Sequence, residues 1–268
     1  MKNRVLGLPV LPFALAATLL LSGCAGWRSV TVPIATIRIP SACAVRPDTL
    51  VVMLPGAASR PEEFESEGLV DAMRARGIAA DVLLVDAHLG YYRNRSVIER
   101  LSADVVAPAL AQGYRHVWLA GISLGGFGAM IYTAERPQGI AGIVAIAPYL
   151  GERETLEAIR AQGGLRSWRS PPDPLDPEDI GTPLWRWLQP YALAPAQAPT
   201  TAARPPLYLG YGLGDRLRPG HDLLAAALPA DHVFTAPGDH DYPAWRAVWA
   251  QALDAAPLPR DPGCKPSR

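Results

Sequence analysis

The residues with the clearest chemical potential form a short serine motif flanked by glycines. Gly121, Ile122, Ser123, Leu124 and Gly125 match the pattern G-x-S-x-G, between an apolar run and a segment with helical periodicity. At such a strand-to-helix turn, a serine stands above the sheet near the positive end of the helix, where it can attack an acyl carbon. The glycines remove side chains that would collide across the turn. We predict that Ser123 is a nucleophile; the alternative is a glycine-rich turn with an inert serine.

A serine hydroxyl needs a base, and histidine is the residue type suited to that role. His240 lies in a loop between the last predicted strand and the last predicted helix, from which an imidazole can reach over the serine. His116 and His232 lie at the starts of strands, and His88 lies in another loop. We predict that His240 is the base and keep His221 as its one rival.

A carboxylate is also needed, to fix the tautomer of the histidine and to stabilise its charged form. Asp215 follows closely on a predicted strand that ends at Gly212, and it is the predicted acid. Asp222 is interpreted as the cap of the next helix, predicted over 222–228. Glu152 follows the preceding strand and remains a second rival for the acid.

Two backbone amides are predicted to bind the negative charge that develops on a carbonyl oxygen under attack. One is the N–H of Leu124, directly after the serine. The other is the N–H of Ala57, in the loop Pro55-Gly56-Ala57-Ala58, whose small residues let the backbone approach the site. The alternative for this loop is a plain strand-to-helix turn.

The elements that must position these residues alternate along the chain. Short apolar runs rich in β-branched residues indicate buried strands, and the stretches between them have helical periodicity. Strands are predicted at 30–39, 49–54, 80–85, 116–122, 140–147, 207–212 and 233–235. Helices are predicted at 61–77, 96–112, 124–135, 222–228 and 242–253. This alternation predicts one α/β domain, a mainly parallel sheet with helices on both faces.

The ordered set of motifs resembles the α/β-hydrolase family from about residue 48 to 253. The resemblance rests on the serine motif and on the chain order Ser123, Asp215, His240. It implies a Ser-His-Asp mechanism without a cofactor, and we expect a serine esterase acting on a small-molecule or lipid ester. Acyltransferase, thioesterase and lipase activities remain alternatives on the same triad, and a non-catalytic binding protein of the cell envelope is another. The loop at Pro55 departs from the His-Gly-Gly-Gly form of some lipases, which argues against that subgroup.

One segment interrupts the alternation. Residues 151–204 are rich in proline and tryptophan, including Trp168, Trp185 and Trp187. An insertion at this place lies above the carboxyl ends of the strands, where ligands bind in open α/β sheets. We interpret it as a cap that shapes a substrate pocket; the alternative is a packed surface excursion whose tryptophans form its own small core.

The amino terminus has the features of an export signal. Two cations precede an apolar run that is too short for a membrane span. The run ends at residues 21–24 with the sequence LSGC, which resembles the lipobox of bacterial lipoproteins. The resemblance implies removal of residues 1–23 and a lipid anchor on Cys24; an ordinary cleaved signal is the alternative. Ala25, in place of an aspartate, favours the outer over the inner membrane of the bacterial envelope.

Two further cysteines remain in the exported chain. Cys43 and Cys264 suggest one disulfide bond in an oxidising compartment, with two free thiols as the alternative. Cys43 precedes the strand at 49–54, and Cys264 follows the last helix, so both are expected at the edge of the sheet opposite Ser123. Their spacing is not that of a metal site, and no metal is expected.

Charge and length limit the partners and the domain organisation that the sequence allows. The chain has 25 basic and 25 acidic residues without a basic stripe, so nucleic acid is not an expected partner. The predicted organisation is a signal peptide (1–23), a tether with an edge segment (24–45), an α/β-hydrolase domain (46–256) carrying the insertion (151–204), and a tail (257–268).

Overall fold

The structure, a computed structural model, describes residues 28–43, 45–193 and 204–264. The predicted signal peptide and lipid-attachment residue Cys24 lie outside these ranges. Within them, no helix is long and apolar enough to cross a membrane.

A seven-stranded sheet forms the centre of the described part, in the order β1-β3-β2-β4-β5-β6-β7. β1 pairs antiparallel with β3, and every other pairing is parallel. The strands are β1 (Thr36–Ile39), β2 (Thr49–Leu54), β3 (Asp81–Val85), β4 (His116–Ile122), β5 (Ile140–Ile146), β6 (Leu207–Gly212) and β7 (Val233–Ala236). The predicted fold class, a mainly parallel α/β sheet, is therefore confirmed.

Helices cover both faces of this sheet. They are α1 (Glu63–Ser66), α2 (Leu69–Ala75), α3 (Leu89–Arg93), α4 (Val97–Arg100), α5 (Ala107–Ala111), α6 (Leu124–Glu135), α7 (Arg153–Ala161), α8 (Gly181–Leu188), α9 (Arg218–Ala225) and α10 (Tyr242–Ala255). A π-helical stretch, Leu101–Val106, joins α4 to α5. It ends just before Pro108, which lacks the N–H that an uninterrupted α-helix would use.

The core has two layers, one on each face, because successive strand residues point to opposite sides. On β2, Leu50, Val52 and Leu54 pack in one layer, whereas Val51 and Met53 pack in the other. Residues of α3 to α9 complete the first layer, and residues of α1, α2 and α10 complete the second. This arrangement leaves the carboxyl ends of the parallel strands free to carry the candidate site.

Three predicted elements were wrong in extent. The strand predicted at 30–39 is limited to Thr36–Ile39. The helix predicted at 61–77 is two helices, which meet at Gly68 with a φ of 76°. The helix predicted at 222–228 begins at Arg218, because Pro219 fits the first turn of a helix, where its missing N–H costs nothing.

The predicted disulfide bond joins Cys43 to Cys264, with a Cα–Cα distance of 4.0 Å. The tail before Cys264 lies beside the segment that leads into β3: Ala79 N–H donates to the carbonyl of Pro259 at 2.8 Å, and Asp261 N–H to that of Gly77 at 2.9 Å. β3 begins there, so the bond lies at the amino edge of the sheet, as predicted, opposite the edge where Ser123 follows β4.

Candidate active site

Ser123 occupies the turn between β4 and α6 in an unusual backbone conformation. Its φ of 53° and ψ of −112° are strained for a residue with a side chain. Two neighbours on the adjacent strand end hold this backbone: the Ser123 N–H donates to the carbonyl of Ile146 at 2.9 Å, and its carbonyl accepts from the N–H of Tyr149 at 3.0 Å. These hydrogen bonds to the end of β5 and to the loop after it therefore help to fix the turn.

The two glycines of the serine motif are required by close backbone contacts. A Cβ on Gly121 would lie 2.2 Å from the carbonyl oxygen of Gly125. A Cβ on Gly125 would lie 2.0 Å from the carbonyl oxygen of Leu54, at the end of β2. Because backbone atoms occupy both positions, α6 can begin so close to the sheet only without side chains there.

Ser123, His240 and Asp215 are brought together by three loops at the carboxyl ends of β4, β7 and β6. His240 Nε2 lies 3.0 Å from Ser123 Oγ, and His240 Nδ1 lies 2.7 Å from Asp215 Oδ2. The imidazole also packs edge-on against Trp245, with ring centroids 5.1 Å apart. The arrangement can pass a proton from the serine hydroxyl to the imidazole while the carboxylate fixes the tautomer.

The carboxylate of Asp215 is buried, with 3% of the residue exposed. Burial opposes its ionisation, but hydrogen bonds from His240 and from the Leu217 N–H, at 2.7 Å, outweigh that effect. The pKa of Asp215 therefore lies below its ordinary value. A carboxylate that stays ionised can stabilise a positive charge on the histidine.

The rival residues from the sequence have other contacts. His221 is fully buried, and its Nε2 lies 2.9 Å from the carbonyl oxygen of Pro148. Glu152 is exposed and accepts a hydrogen bond from the hydroxyl of Tyr149. Both lie outside the hydrogen-bonded chain that joins Ser123 to Asp215.

The interpretation of Asp222 as a helix cap was wrong. Asp222 lies inside α9, which begins four residues earlier at Arg218. Its carboxylate accepts a hydrogen bond from the Tyr211 hydroxyl at 2.9 Å and pairs with Arg218 at 3.2 Å. The carboxylate therefore links α9 to β6 rather than satisfying the amides of the first helical turn.

The two residues predicted to supply oxyanion-binding amides both lie near the serine. Leu124 is the first residue of α6, and amides of a first helical turn have no acceptor within the helix. The loop with Gly56 and Ala57 passes beside the serine: a Cβ on Gly56 would lie 3.7 Å from Ser123 Cβ. Ala57, Ser123 and Leu124 line one cavity. The loop also connects β2 to α1, so the positions fit either interpretation made from the sequence.

A groove of about 1350 Å³ opens beside Ser123. Its lining includes residues of α3, α4 and α6, together with Ile180, Pro183 and Leu184 of the insertion. Trp168 and Trp185 are buried within the insertion, and the Trp185 indole N–H donates to the Leu150 carbonyl at 2.7 Å. The described part of the insertion thus packs into the core layer on one face of the sheet, rather than around a separate core, and also lines the groove.

Sequence reasoning missed the two residues at the end of β5 and in the loop after it that hydrogen-bond to the backbone of the serine. Ile146 and Tyr149 are apolar or aromatic residues at a strand end and have no motif of their own. Their one sequence signal is that the strand at 140–147 ends at the same edge as β4. Within the described ranges, no group of three or more His, Cys, Asp or Glu side chains could hold a metal ion.

Solved structures of other proteins share this fold. S-formylglutathione hydrolase of Staphylococcus aureus has a TM-score of 0.52 at 17% identity, over 79% of this chain and 82% of its own. Fluorophosphonate-binding serine hydrolase F of Staphylococcus aureus has a TM-score of 0.50 at 16% identity, over 83% and 98% of the two chains. A candidate esterase of that organism has a TM-score of 0.53 at 16% identity, over 82% and 79%.

These similarities define the class of structure: the chain has the α/β-hydrolase fold. No protein-family model matches the sequence, and no curated protein matches it. At such low identities the comparison establishes the fold alone, and the function must be argued from the site.

Proposed function

We propose that this protein is a serine hydrolase that cleaves carboxylic esters through an acyl-enzyme on Ser123. The observation that carries the proposal is the pair of hydrogen-bond contacts through His240, 3.0 Å to Ser123 Oγ and 2.7 Å to Asp215. The strained serine backbone adds support, because such strain persists only where the surroundings fix it and is common at functional sites.

The first half of the proposed reaction forms the acyl-enzyme. His240 Nε2 takes the hydroxyl proton as Ser123 Oγ attacks the ester carbonyl carbon. The amides of Leu124 and Ala57 donate hydrogen bonds to the oxyanion of the tetrahedral intermediate. That intermediate collapses, the bond to the alcohol oxygen breaks, and the alcohol leaves with the proton from His240.

The second half releases the acid by the same groups. His240 removes a proton from water, which attacks the acyl carbon while the two amides again bind the oxyanion. The bond to Ser123 Oγ then breaks and the oxygen recovers its proton from His240. Asp215 remains ionised throughout, in keeping with its lowered pKa, and stabilises the imidazolium of both half-reactions.

Structural neighbours support a serine hydrolase. One is a hydrolase of S-formylglutathione, a thioester, and another is a serine hydrolase that binds fluorophosphonates. An ester and a thioester pass through the same kind of acyl-enzyme, so product analysis with water and with added alcohols or thiols separates hydrolysis from acyl transfer.

The test of this function replaces the serine. Ser123→Ala should abolish covalent labelling by a fluorophosphonate and lower the hydrolysis rate of p-nitrophenyl butyrate by roughly 10⁴-fold or more, because the nucleophile is gone. Ser66→Ala, an exposed serine on α1, is the matched control and should keep both activities. Normal labelling of Ser123→Ala would overturn the assignment.

The proposed setting is the bacterial cell envelope, with the chain held by lipid on Cys24. Two or more acyl chains on one residue give a lasting anchor, whereas one chain gives only marginal binding. Cys24→Ser removes the acceptor thiol and should shift the protein from the membrane fraction to the soluble fraction. Wild-type protein treated in parallel is the control. If Cys24→Ser stays in the membrane fraction after a high-salt wash, the lipid-anchor proposal is wrong.

A further inference from the structure

The groove beside Ser123 has an apolar floor formed by one face of α6. Leu124, Phe127, Ile131 and Ala134 line it at spacings of three and four residues, so they form a stripe along the helix. From Leu124 to Ala134 this stripe is about 15 Å long, the length of an extended acyl chain of roughly twelve carbons. The stripe begins at the candidate nucleophile and runs away from it.

Apolar side chains of other helices line the same groove. They include Tyr92 of α3, Ile98 of α4 and Leu184 of α8. The aromatic rings of Tyr92 and Phe127 lie 6.3 Å apart, between centroids. A chain bound along α6 would therefore also contact apolar atoms of α3, α4 and α8, which favours burial of a hydrocarbon.

Charged residues also line the groove: Arg93, Arg95, Glu99, Glu135, Arg136, Glu152, Glu178, Asp179 and Arg216. Arg95 and Glu178 form an ion pair that joins the α3–α4 loop to the insertion, and Arg216 lies near the end by the triad. All of these charged residues except Asp179 are exposed, so their polar groups lie towards the solvent side of the groove. An apolar trough with a charged border suits an amphiphile, whose chain enters the trough while its polar part stays at the border.

The first described residues lie at this same edge of the molecule. The Arg28 guanidinium contacts Asp86, which directly follows β3, at 2.5 Å, and donates to the carbonyl of Ser59 at 3.1 Å. The Arg28 carbonyl oxygen lies 3.3 Å from the position of a Cβ on Gly90, which adjoins the groove residue Leu89. Arg28 thus lies beside the groove.

Covalent reach then limits the distance between the anchor and the groove. Cys24 precedes Arg28 by four residues, which span at most about 14 Å when fully extended. A lipid on Cys24 would hold the carboxyl edge of the sheet near the headgroups of the bilayer. The opposite edge, with the Cys43–Cys264 bond, would face away.

We propose that the groove along α6 binds the acyl chain of a long-chain ester drawn from the membrane to which Cys24 anchors the protein. This inference rests on the proposed function and names its substrate class. The ester carbonyl lies at Ser123, the acyl chain extends along Leu124, Phe127 and Ile131, and the polar part of the ester remains at the charged border. Hydrolysis would release a fatty acid and the alcohol portion of the lipid.

The first test measures chain-length preference with p-nitrophenyl esters from acetate to dodecanoate and full-length wild-type protein. Each added methylene that enters the groove should raise kcat/KM by up to about fourfold, so decanoate should exceed acetate at least tenfold. Ile131→Trp fills the groove about 10 Å beyond Leu124 and should lower the decanoate-to-butyrate ratio at least tenfold. Leu110→Trp, at an exposed apolar residue of α5, is the matched control and should keep the wild-type ratio.

The second test examines the membrane as the source of substrate. The probe is 4-methylumbelliferyl dodecanoate dissolved in phosphatidylcholine vesicles that carry either the lipidated protein or added Cys24→Ser protein. The lipidated protein should hydrolyse the vesicle-bound ester at least tenfold faster at equal protein concentration. Hydrolysis of p-nitrophenyl butyrate in solution should be equal for the two proteins.

The outcomes separate this inference from the proposed function. If acetate is the best ester, or if Ile131→Trp keeps fluorophosphonate labelling and the wild-type ratio, the acyl groove is wrong although the hydrolase stands. Equal vesicle rates with and without the anchor would overturn the membrane source in favour of soluble esters. No hydrolysis of any ester and no labelling would overturn the serine-hydrolase assignment and this inference with it.

Discussion

Individual residues at this site differ in what the sequence could reveal. Ser123, Asp215 and His240 each follow the end of a strand, so a motif and a strand order were enough to select them. His221 was kept as a rival base, but it is buried, and its Nδ1 lacks a hydrogen-bond partner among the described residues. Its neighbour Pro148 immediately precedes Tyr149, whose amide binds the serine backbone. His221 therefore supports the loop that positions the nucleophile.

The buried state of His221 predicts how stability depends on pH. Burial lowers the pKa of His221 more than the nearby carboxylate of Asp215 raises it. Above the unfolded-state pKa of about 6.5, the ring is neutral in both states and does not affect the pH dependence. As the pH falls below that value, the unfolded chain takes up a proton and the folded chain does not. Stability therefore decreases until the lower folded-state pKa is reached.

His221→Gln tests this argument, because the glutamine amide can donate to the Pro148 carbonyl but does not titrate. The free energy of unfolding of wild-type protein should fall more steeply between pH 6.5 and 5 than that of the variant, by up to about 1.4 kcal/mol per pH unit. Chemical denaturation at several pH values measures both slopes. His232→Gln, at a partly exposed position, is the control. Equal slopes for wild type and His221→Gln would show that His221 is protonated in the fold.

At the scale of elements, continuous apolar runs were predictable and broken ones were not. β2, β4, β6 and α6 have the predicted bounds, because each is an unbroken apolar or periodic run between turn residues. α7 and α8 were not predicted. Both are short amphipathic helices, and they lie within an insertion whose many prolines argue against helix. The groove was also beyond prediction in detail, because it needs the packing of α6 against α4 and α8, which no local pattern encodes.

The start of α6 provides a prediction in which packing opposes helix propensity. Alanine normally stabilises a helix by about 1 kcal/mol relative to glycine. At Gly125 the new methyl group would lie 2.0 Å from the Leu54 carbonyl oxygen, and neither backbone can move without disturbing β2. Gly125→Ala should therefore lower the free energy of unfolding by about 3 kcal/mol or more, as measured by chemical denaturation.

The neighbouring residue provides the control for this prediction. A Cβ on Gly126 would meet its nearest atom, Pro148 Cβ, at 3.0 Å, so a small shift can accommodate it. Gly126→Ala should cost clearly less than Gly125→Ala. Equal stability of the two variants would mean that α6 can move away from β2, contrary to the close packing described here.

At the scale of the whole molecule, the candidate site and the disulfide bond lie at opposite edges of the sheet. The carboxyl edge holds the triad, the groove and Arg28. The amino edge holds the Cys43–Cys264 bond and the tail segment hydrogen-bonded beside Gly77. The sequence predicted this separation because strand direction alone determines at which edge each connection lies. It could not predict the approach of Arg28 to the groove, which depends on long-range contacts.

The separation of the edges predicts that the disulfide bond stabilises the fold without acting on the candidate site. The bond closes a loop of 221 residues, and its loss gives the unfolded chain more conformational freedom. Cys264→Ser should lower the free energy of unfolding by about 2–4 kcal/mol and leave kcat/KM for p-nitrophenyl butyrate unchanged at 25 °C. Cys43→Ser should match it, and the double variant should add nothing further, because both changes remove the same bond. Two free thiols in unreduced protein from the periplasm would contradict the bond. Loss of activity without a lower melting temperature would instead place the bond's role at the carboxyl edge.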